Sequence, residues 1–442
     1  MSKYLTRNTT ELDVVPLKTA KADKGHVRRF HVMAKPGGAK CNIDCQYCFY
    51  LHKEGLLHQP KQPRMSDELL ERYIEQYIAS QDSNEVTFSW QGGEPTLLGL
   101  DFFRKVIVLQ KKYAAEGITV NNDLQTNGII LNEEWCEFLA QNNFLVGLSI
   151  DGPENIHDKY RVTRSNKPTF HLVMKAVALL RQYDVKFNAL VTVNRHNVKY
   201  PIEVYRFLVD ELKVSYIQFT PVVEPKNFKS AAPQFFNDSA APFLGSPEAR
   251  PGNVMSIVTD WSVDPDDWGN FLKVTFEEWI NNDLGRVMVN LFETAVAQTM
   301  GKPSQLCVTS EFCGKAIAVE HTGDIYSCDH FVYPEYKLGN INDQNLPDMA
   351  LSVRQEGFGM SKRDSLPEYC KRCPHLNLCW GECPKNRIIK TPDGEIGLNY
   401  LCSGIKTFFD FAQPILVGLV TVMNTGANKT QLSKGSAKPE SF

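Results

Sequence analysis

From Phe30 to Thr220 short runs suited to strands alternate with longer segments whose apolar residues recur every three or four positions. Strands are predicted at Phe30–Ala34, Val86–Trp90, Thr119–Gln125, Leu145–Ile150, Phe187–Val193 and Tyr216–Thr220, where the runs are short and end at turn residues. Between them Ser66 caps a helix reaching Ser80, with Leu69, Leu70, Tyr73, Ile74 and Tyr77 on its apolar face. Further helices are predicted at Phe102–Tyr113, Asn132–Gln141, Thr169–Tyr183 and Pro201–Leu212. Six strands alternating with helices imply right-handed crossovers and a parallel sheet. The expected fold is therefore α/β, a partial (β/α)6 TIM-like barrel whose reactive loops lie at the C-terminal ends of its strands.

The periodicity dissolves between Val223 and Pro265 into Pro, Ala, Ser, Gly and Asp, which reads as a long functional or mobile insertion. An amphipathic helix resumes at Trp268–Asn281, and cysteine density rises from Cys307 onward. The chain thus divides into a lead-in (1–26), a barrel core (27–222), a bridging insertion (223–306), a cysteine-rich domain (307–409), and a C-terminal helix with a disordered tail (410–442). At 43% hydrophobic and 22% charged residues the 442-residue chain is not disordered overall. Its net charge of -3 gives no basic footprint for nucleic acid. Met1–Pro16 lacks the apolar core of a signal peptide. The run Phe408–Met423 contains Asp410, Gln413 and Pro414 and falls short of the ~20 apolar residues that span a bilayer. A cytoplasmic protein with no membrane partner is expected, and there twelve cysteines point to metal or catalysis rather than disulfides.

Three of those cysteines form Cys41-x3-Cys45-x2-Cys48, in the loop after the first strand. Three thiolates can hold three irons of a four-iron cluster and leave one iron open to a small chelating molecule. A closed zinc site needs a fourth ligand, for which His52 and His58 are the nearest candidates. The second strand ends in Gln91-Gly92-Gly93-Glu94-Pro95, whose glycines allow close backbone approach. The fourth ends in Ser149-Ile150-Asp151-Gly152-Pro153, followed by His157-Asp158-Lys159-Tyr160-Arg161. Eight further cysteines follow as Cys307-x5-Cys313-x14-Cys328 and Cys370-x2-Cys373-x5-Cys379-x3-Cys383, then Cys402. By spacing alone they suit two fully ligated four-iron clusters or two four-cysteine zinc sites. Cys136 is left over and reads as a small buried hydrophobe.

With Tyr47 before its third cysteine, the first motif resembles that of the radical S-adenosylmethionine (SAM) superfamily. The flanking Phe30–Pro36 and Cys48–Leu51 resemble, more narrowly, the anaerobic sulfatase-maturating enzymes. The later cysteines, with Gly323 in Thr322-Gly323-Asp324-Ile325-Tyr326, resemble the SPASM domain of that family, and the likeness covers residues 30–409. It implies a radical SAM barrel, a SPASM domain, SAM and three [4Fe–4S] clusters. Cys41, Cys45 and Cys48 would hold the first cluster; Cys307, Cys313, Cys328 and Cys383 one auxiliary cluster; and Cys370, Cys373, Cys379 and Cys402 the other.

The resemblance further implies that Gly92 and Gly93 hold the amino group of SAM with Glu94 supporting the turn, and that Ser149 and Arg161 contact SAM. The planar fork of Arg161 suits a carboxylate. Tyr50 and Gln91 would lie near SAM and the substrate peptide, and Asp329, directly after Cys328, would be the catalytic base. The implied activity is oxidation of a Cys or Ser of an unfolded or nascent sulfatase, in a segment of the form Cys/Ser-x-Pro-x-Arg, to Cα-formylglycine (3-oxoalanine). A flavodoxin or ferredoxin would donate electrons. Two alternatives stand beside it: a SPASM enzyme that crosslinks or epimerises a ribosomal peptide, and a zinc-binding module without catalysis. The lead-in before His26 is short for the leader-peptide domain that the former often carries.

Overall fold

Alternation of strand and helix builds a twisted, largely parallel sheet in the computed structural model, which describes residues 30–233 and 241–425. The strands of the barrel core are β1 (His31–Lys35), β2 (Glu85–Trp90), β3 (Thr119–Thr126), β4 (Leu145–Ser149), β5 (Phe187–Val193) and β6 (Tyr216–Pro221). They lie side by side in chain order, each parallel to the next. Helices cover the outer face: α1 (Asp67–Ala79), α2 (Leu100–Tyr113), α3 (Glu133–Gln141), α4 (Phe170–Gln182) and α5 (Pro201–Arg206). Ser66 accepts the Leu69 N–H at 3.2 Å and starts α1, which buries Leu69, Leu70, Tyr73, Ile74 and Tyr77 against the sheet. The helix expected over 201–212 is α-helical only to Arg206 and widens into a π turn over Phe207–Glu211. The lead-in and the tail expected to be disordered lie outside the described residues.

The sheet extends beyond these six strands at both edges. Beyond β6 it gains β7 (Met288–Val289), and beside β1 it gains β8 (Ala316–Glu320), β9 (Asp324–Tyr326) and β10 (Lys337–Asn340). β8 runs parallel to β1 and pairs Lys35 with Glu320. The cysteine-rich segment therefore joins the barrel through a continuous hydrogen-bonded sheet. Gly323 turns the β8–β9 hairpin with φ 86°, a value that strains any residue with a Cβ.

The segment after Val223 is ordered by antiparallel contacts rather than loose. Val263 N–H bonds Val222 O at 2.9 Å, Thr259 N–H bonds Glu224 O at 2.8 Å, and Lys226 N–H bonds Ile257 O at 2.9 Å. Residues 234–240 of this segment are outside the description. The segment also reaches the cysteine-rich half, where Tyr333 donates its hydroxyl to Phe228 O at 2.7 Å.

Among the described residues one helix, Cys402–Thr425, is long and apolar enough to cross a membrane by length and composition. It begins at Cys402 rather than at residue 410 and is longer than the apolar run Phe408–Met423 suggests, with Pro414 on an exposed position inside it. One face is used internally: Phe408 packs on Phe276 and Phe292, at 5.7 and 5.8 Å between ring centroids. At the crossing with the helix Pro265–Asn282, Gly404 meets Gly269, and a Cβ on Gly404 would overlap the Pro265 carbonyl oxygen. The Gly404→Ala variant is expected to force the two helices apart at a cost of about 1–3 kcal/mol. Scanning calorimetry should show the unfolding midpoint lowered by several degrees; an unchanged midpoint would mean that the crossing can widen freely.

Candidate active site

At the C-terminal end of β1 the chain turns through Pro36–Lys40 into the three-cysteine loop. The loop is clasped from two sides. On one, Gly93 N–H and Glu94 N–H bond the carbonyls of Gly38 and Lys40 at 2.9 and 2.8 Å. A Cβ on Gly93 would overlap the Lys40 carbonyl, so this turn must be glycine to lie against the loop. On the other, Asp44 N–H bonds Val162 O at 2.8 Å and Gln46 N–H bonds Tyr160 O at 3.3 Å. Both clasping segments are those that carry the sequence-expected contacts.

Glu94 is buried, and every hydrogen bond it makes is internal. Its Oε1 accepts from Thr96 N–H (3.1 Å), Thr96 Oγ1 (2.6 Å) and Thr126 Oγ1 (2.8 Å), and its Oε2 from Asn127 N–H (2.8 Å). It ties the ends of β2 and β3 together, and so positions the turn rather than offering a free carboxylate. Asn127 in turn donates to Asn42 Oδ1 at 2.7 Å and lies 3.8 Å from Cys41 Sγ. Ser149 is buried at the end of β4, and Gln91 N–H continues the β1 pairing to Ala34 O at 2.8 Å.

Asp151, read from sequence only as a strand-end residue, is the node of this side. It accepts the Tyr47 hydroxyl and the Thr192 N–H, the latter at 3.1 Å, and its Oδ1 stands 3.1 Å from Arg161 Nε. Arg161 is buried, its NH1 3.9 Å from Cys45 Sγ and its NH2 3.3 Å from Thr192 Oγ1. The carboxylate that Arg161 meets in the structure is thus that of Asp151, and its guanidinium brings positive charge to the cysteine loop.

The three thiols are not in disulfides and sit within one another's electrostatic reach. Burial pushes Cys41 up to about 12 and raises Cys45 and Cys48 as well. Ligation by thiolate needs a cation to reverse that shift, which a metal cluster supplies. The later cysteines fall into two spatial sets by the same electrostatic reach. Cys328 and Cys383 feel Cys307, as does Cys313, while Cys402 feels Cys379, Cys370 and Cys373. Among the described residues no three Cys, His, Asp or Glu side chains converge as ligands of a single metal ion. Each set offers four thiols, the number that closes a four-iron cluster or a four-cysteine zinc site. Buried cations serve the auxiliary sets: Lys362 donates to the carbonyls of Cys307 and Val308 at 2.6 and 2.8 Å. Arg387 donates to the carbonyls of Gly381 and Trp380 at 3.2 and 3.0 Å, where three successive residues between Cys379 and Cys383 have positive φ.

The β1–β8 pairing brings the cysteine-rich half to the mouth of the barrel. Glu320, at the end of β8, accepts the Tyr50 hydroxyl and the Gln59 amide, the latter at 3.2 Å. Asp329 opens the short turn after Cys328 and forms an ion pair with Lys35, the last residue of β1. Lys35 is 2% exposed and also lies 4.3 Å from the centre of the Tyr50 ring. Burial alone would raise the Asp329 pKa, but Lys35, His330 and Lys53 outweigh it and hold the carboxyl below its ordinary value. Asp329 is thus a charged carboxylate between the two cysteine-bearing halves. Neither Lys35 nor Lys53 stands out in the sequence, because an isolated lysine beside Pro or Glu carries no local signal.

Residues 36–208 match the family model for the radical SAM superfamily, and 307–374 match that for an iron–sulfur cluster-binding domain. The chain is 45% identical to a serine-type anaerobic sulfatase-maturating enzyme of Bacteroides thetaiotaomicron, over 87% of this chain and 90% of that protein. It is 31% identical to a cysteine-type anaerobic sulfatase-maturating enzyme of Clostridium perfringens, over 88% and 97% of the two chains. The solved structure of native anSMEcpe with bound AdoMet and Kp18Cys peptide superposes with a TM-score of 0.74 at 31% identity, covering 88% of this chain and 99% of that one. With three-cysteine loop, parallel sheet and cysteine-rich extension all matched across these lengths, the chain belongs to the anaerobic sulfatase-maturating enzymes of the radical SAM superfamily.

Proposed function

We propose that this protein oxidises a Cys or Ser in a sulfatase segment of the form Cys/Ser-x-Pro-x-Arg to Cα-formylglycine. The observation that carries this reading is the placement of Asp329, charged and paired with Lys35, at the mouth of the barrel that also holds the Cys41–Cys48 loop. Relatives of both serine and cysteine type support including both residues as targets. The residues that would hold the cofactors are Cys41, Cys45 and Cys48 for the first [4Fe–4S] cluster, with the two cysteine sets above for the auxiliary ones. When bound, these clusters and SAM supply the hydrogen-atom abstraction from the target Cβ and take up the second electron.

The chain's own residues do the rest. Gly92 and Gly93 lay the turn against the cysteine loop and leave backbone groups open to the amino group of SAM, and Glu94 locks that turn. Ser149 and Arg161 line the opposite side, where the Asp151 contact fixes the guanidinium. Tyr50 and Gln91 line the passage between SAM and the peptide, Tyr50 held by Glu320. Asp329 accepts the proton from the substrate thiol or hydroxyl, and Lys35 keeps it ionised for that task. Tyr333 ties Phe228 of the bridging segment to the cysteine-rich half. A flavodoxin or ferredoxin is the proposed electron source.

The test is an anaerobic incubation of reconstituted protein with SAM, a reductant and a short peptide of the form Cys/Ser-x-Pro-x-Arg. Mass spectrometry should find the thiol replaced by an aldehyde oxygen, or the serine oxidised by loss of its hydroxyl hydrogen and one Cβ hydrogen. Deoxyadenosine formed without change in either peptide would overturn the assignment of substrate.

A further inference from the structure

His52 and Lys53 follow Tyr50 closely in sequence, and beyond the pull of Lys53 on Asp329 neither has been given a role. Lys53 is fully buried, and its Nζ has no hydrogen-bond partner. Both ring nitrogens of His52 are likewise buried without partners. The lysine amine stands 3.1 Å from the centre of the Tyr333 ring, and the His52 ring meets Phe228 edge-on at 4.9 Å. Phe228 and Tyr333 are joined by the hydrogen bond that ties the bridging segment to the cysteine-rich half.

A buried ammonium normally sits against a carboxylate, and the carboxylates that act on Lys53 are Glu224, Asp329 and Glu320. Each is already engaged. Glu224 accepts from Lys385 at 2.6 Å, Asp329 is paired with Lys35, and Glu320 takes the Tyr50 hydroxyl. Lys53 lends its charge to these acids but hydrogen-bonds to none of them. The ring face of Tyr333 offsets part of its desolvation but accepts no conventional hydrogen bond. What is missing is an oxygen acceptor from outside the chain.

We propose that Lys53 is a substrate-binding residue, whose ammonium donates to a main-chain carbonyl of the sulfatase segment beside the Tyr333 ring. The proposal rests on the maturase reading. The occupant must be neutral and carbonyl-bearing, since the target lies inside a polypeptide and an additional carboxylate would be repelled by the three acids nearby. SAM's own carboxylate is the competing acceptor, and the experiment separates the two.

Reconstituted full-length protein is titrated with the Cys or Ser peptide in the presence of SAM, and separately with SAM alone. Lys53→Met is expected to weaken peptide binding about tenfold or more, the loss of one charge-assisted hydrogen bond. Its SAM affinity and iron content should match wild type. Burial pushes the Lys53 amine down to about 7, against the pull of Glu224, Asp329 and Glu320 and with the push of Lys385. Wild-type peptide affinity should accordingly fall as pH rises from about 6 to 8, because the donor loses its charge as pH passes its pKa. Lys53→Arg, which stays charged, should bind peptide with little change over that range, and this variant decides the matter if Lys53→Met loses iron. Peptide affinity unchanged in Lys53→Met, or lost for SAM instead, would overturn the role of Lys53 while leaving the maturase reading intact. Failure of the wild type to bind or convert either peptide would overturn that reading itself.

Discussion

Asp329→Asn is expected to cleave SAM and yet make little formylglycine. The substitution keeps the shape of the side chain and removes the charge that pairs with Lys35. Asparagine cannot take up a proton from a thiol or hydroxyl, so the oxidation stalls after the hydrogen atom has left Cβ. Loss of a general base costs typically about 10²–10⁴ in rate. The measurement is the ratio of deoxyadenosine to formylglycine, followed by chromatography and mass spectrometry in one anaerobic reaction. That ratio should rise by about the same factor. Burial works against the Asp329 carboxylate, but the adjacent Lys35 holds its pKa below the ordinary value. An unchanged ratio would remove Asp329 as the base and turn attention to its neighbours at the mouth of the barrel.

Much of this architecture was legible in the sequence, for a physical reason. The six core strands and their helices follow from local periodicity, and their order in a parallel sheet from the handedness of the crossovers. The three-cysteine loop pointed to a cluster because ligand number is written into its spacing, whereas the eight later cysteines suited clusters or zinc by spacing alone. The attachment of β8 beside β1 is a pairing between residues 31–35 and 316–320, which no local pattern carries. It matters functionally, since it sets Glu320 beside Lys35 and delivers Asp329 to the barrel. The Asp151–Arg161–Tyr47 node was hidden in the same way: Arg161 and Tyr47 were singled out separately and Asp151 only as a strand end, and the fold alone makes them a buried set against Cys45. Glu94 was legible as support for its turn, though its partners Thr126 and Asn127 come from the next strand. The last helix, expected from residue 410, begins at Cys402, because its first turns carry the last cysteine and pack on the helix Pro265–Asn282.

Cys45→Ala should abolish SAM cleavage altogether, a larger effect than any other substitution considered. Cys45 is the most enclosed of the three loop thiols, 9% exposed, and Arg161 stands 3.9 Å from its sulfur. Alanine leaves two thiols, and two ligands cannot hold a four-iron cluster against solvent in a loop that offers no nearby replacement. The backbone of the loop should survive, because it is held by carbonyl and amide contacts to Gly93, Glu94, Tyr160 and Val162 that do not involve the sulfur. The expected result is a folded protein whose iron content falls by the share of one cluster, with the auxiliary cysteines still loaded and no deoxyadenosine formed. Iron and sulfide analysis, with circular dichroism to check folding, distinguishes this from collapse of the whole molecule. Retained SAM cleavage in Cys45→Ala would mean that the chemistry is seated elsewhere, and the assignment of the Cys41–Cys48 loop would fall with it.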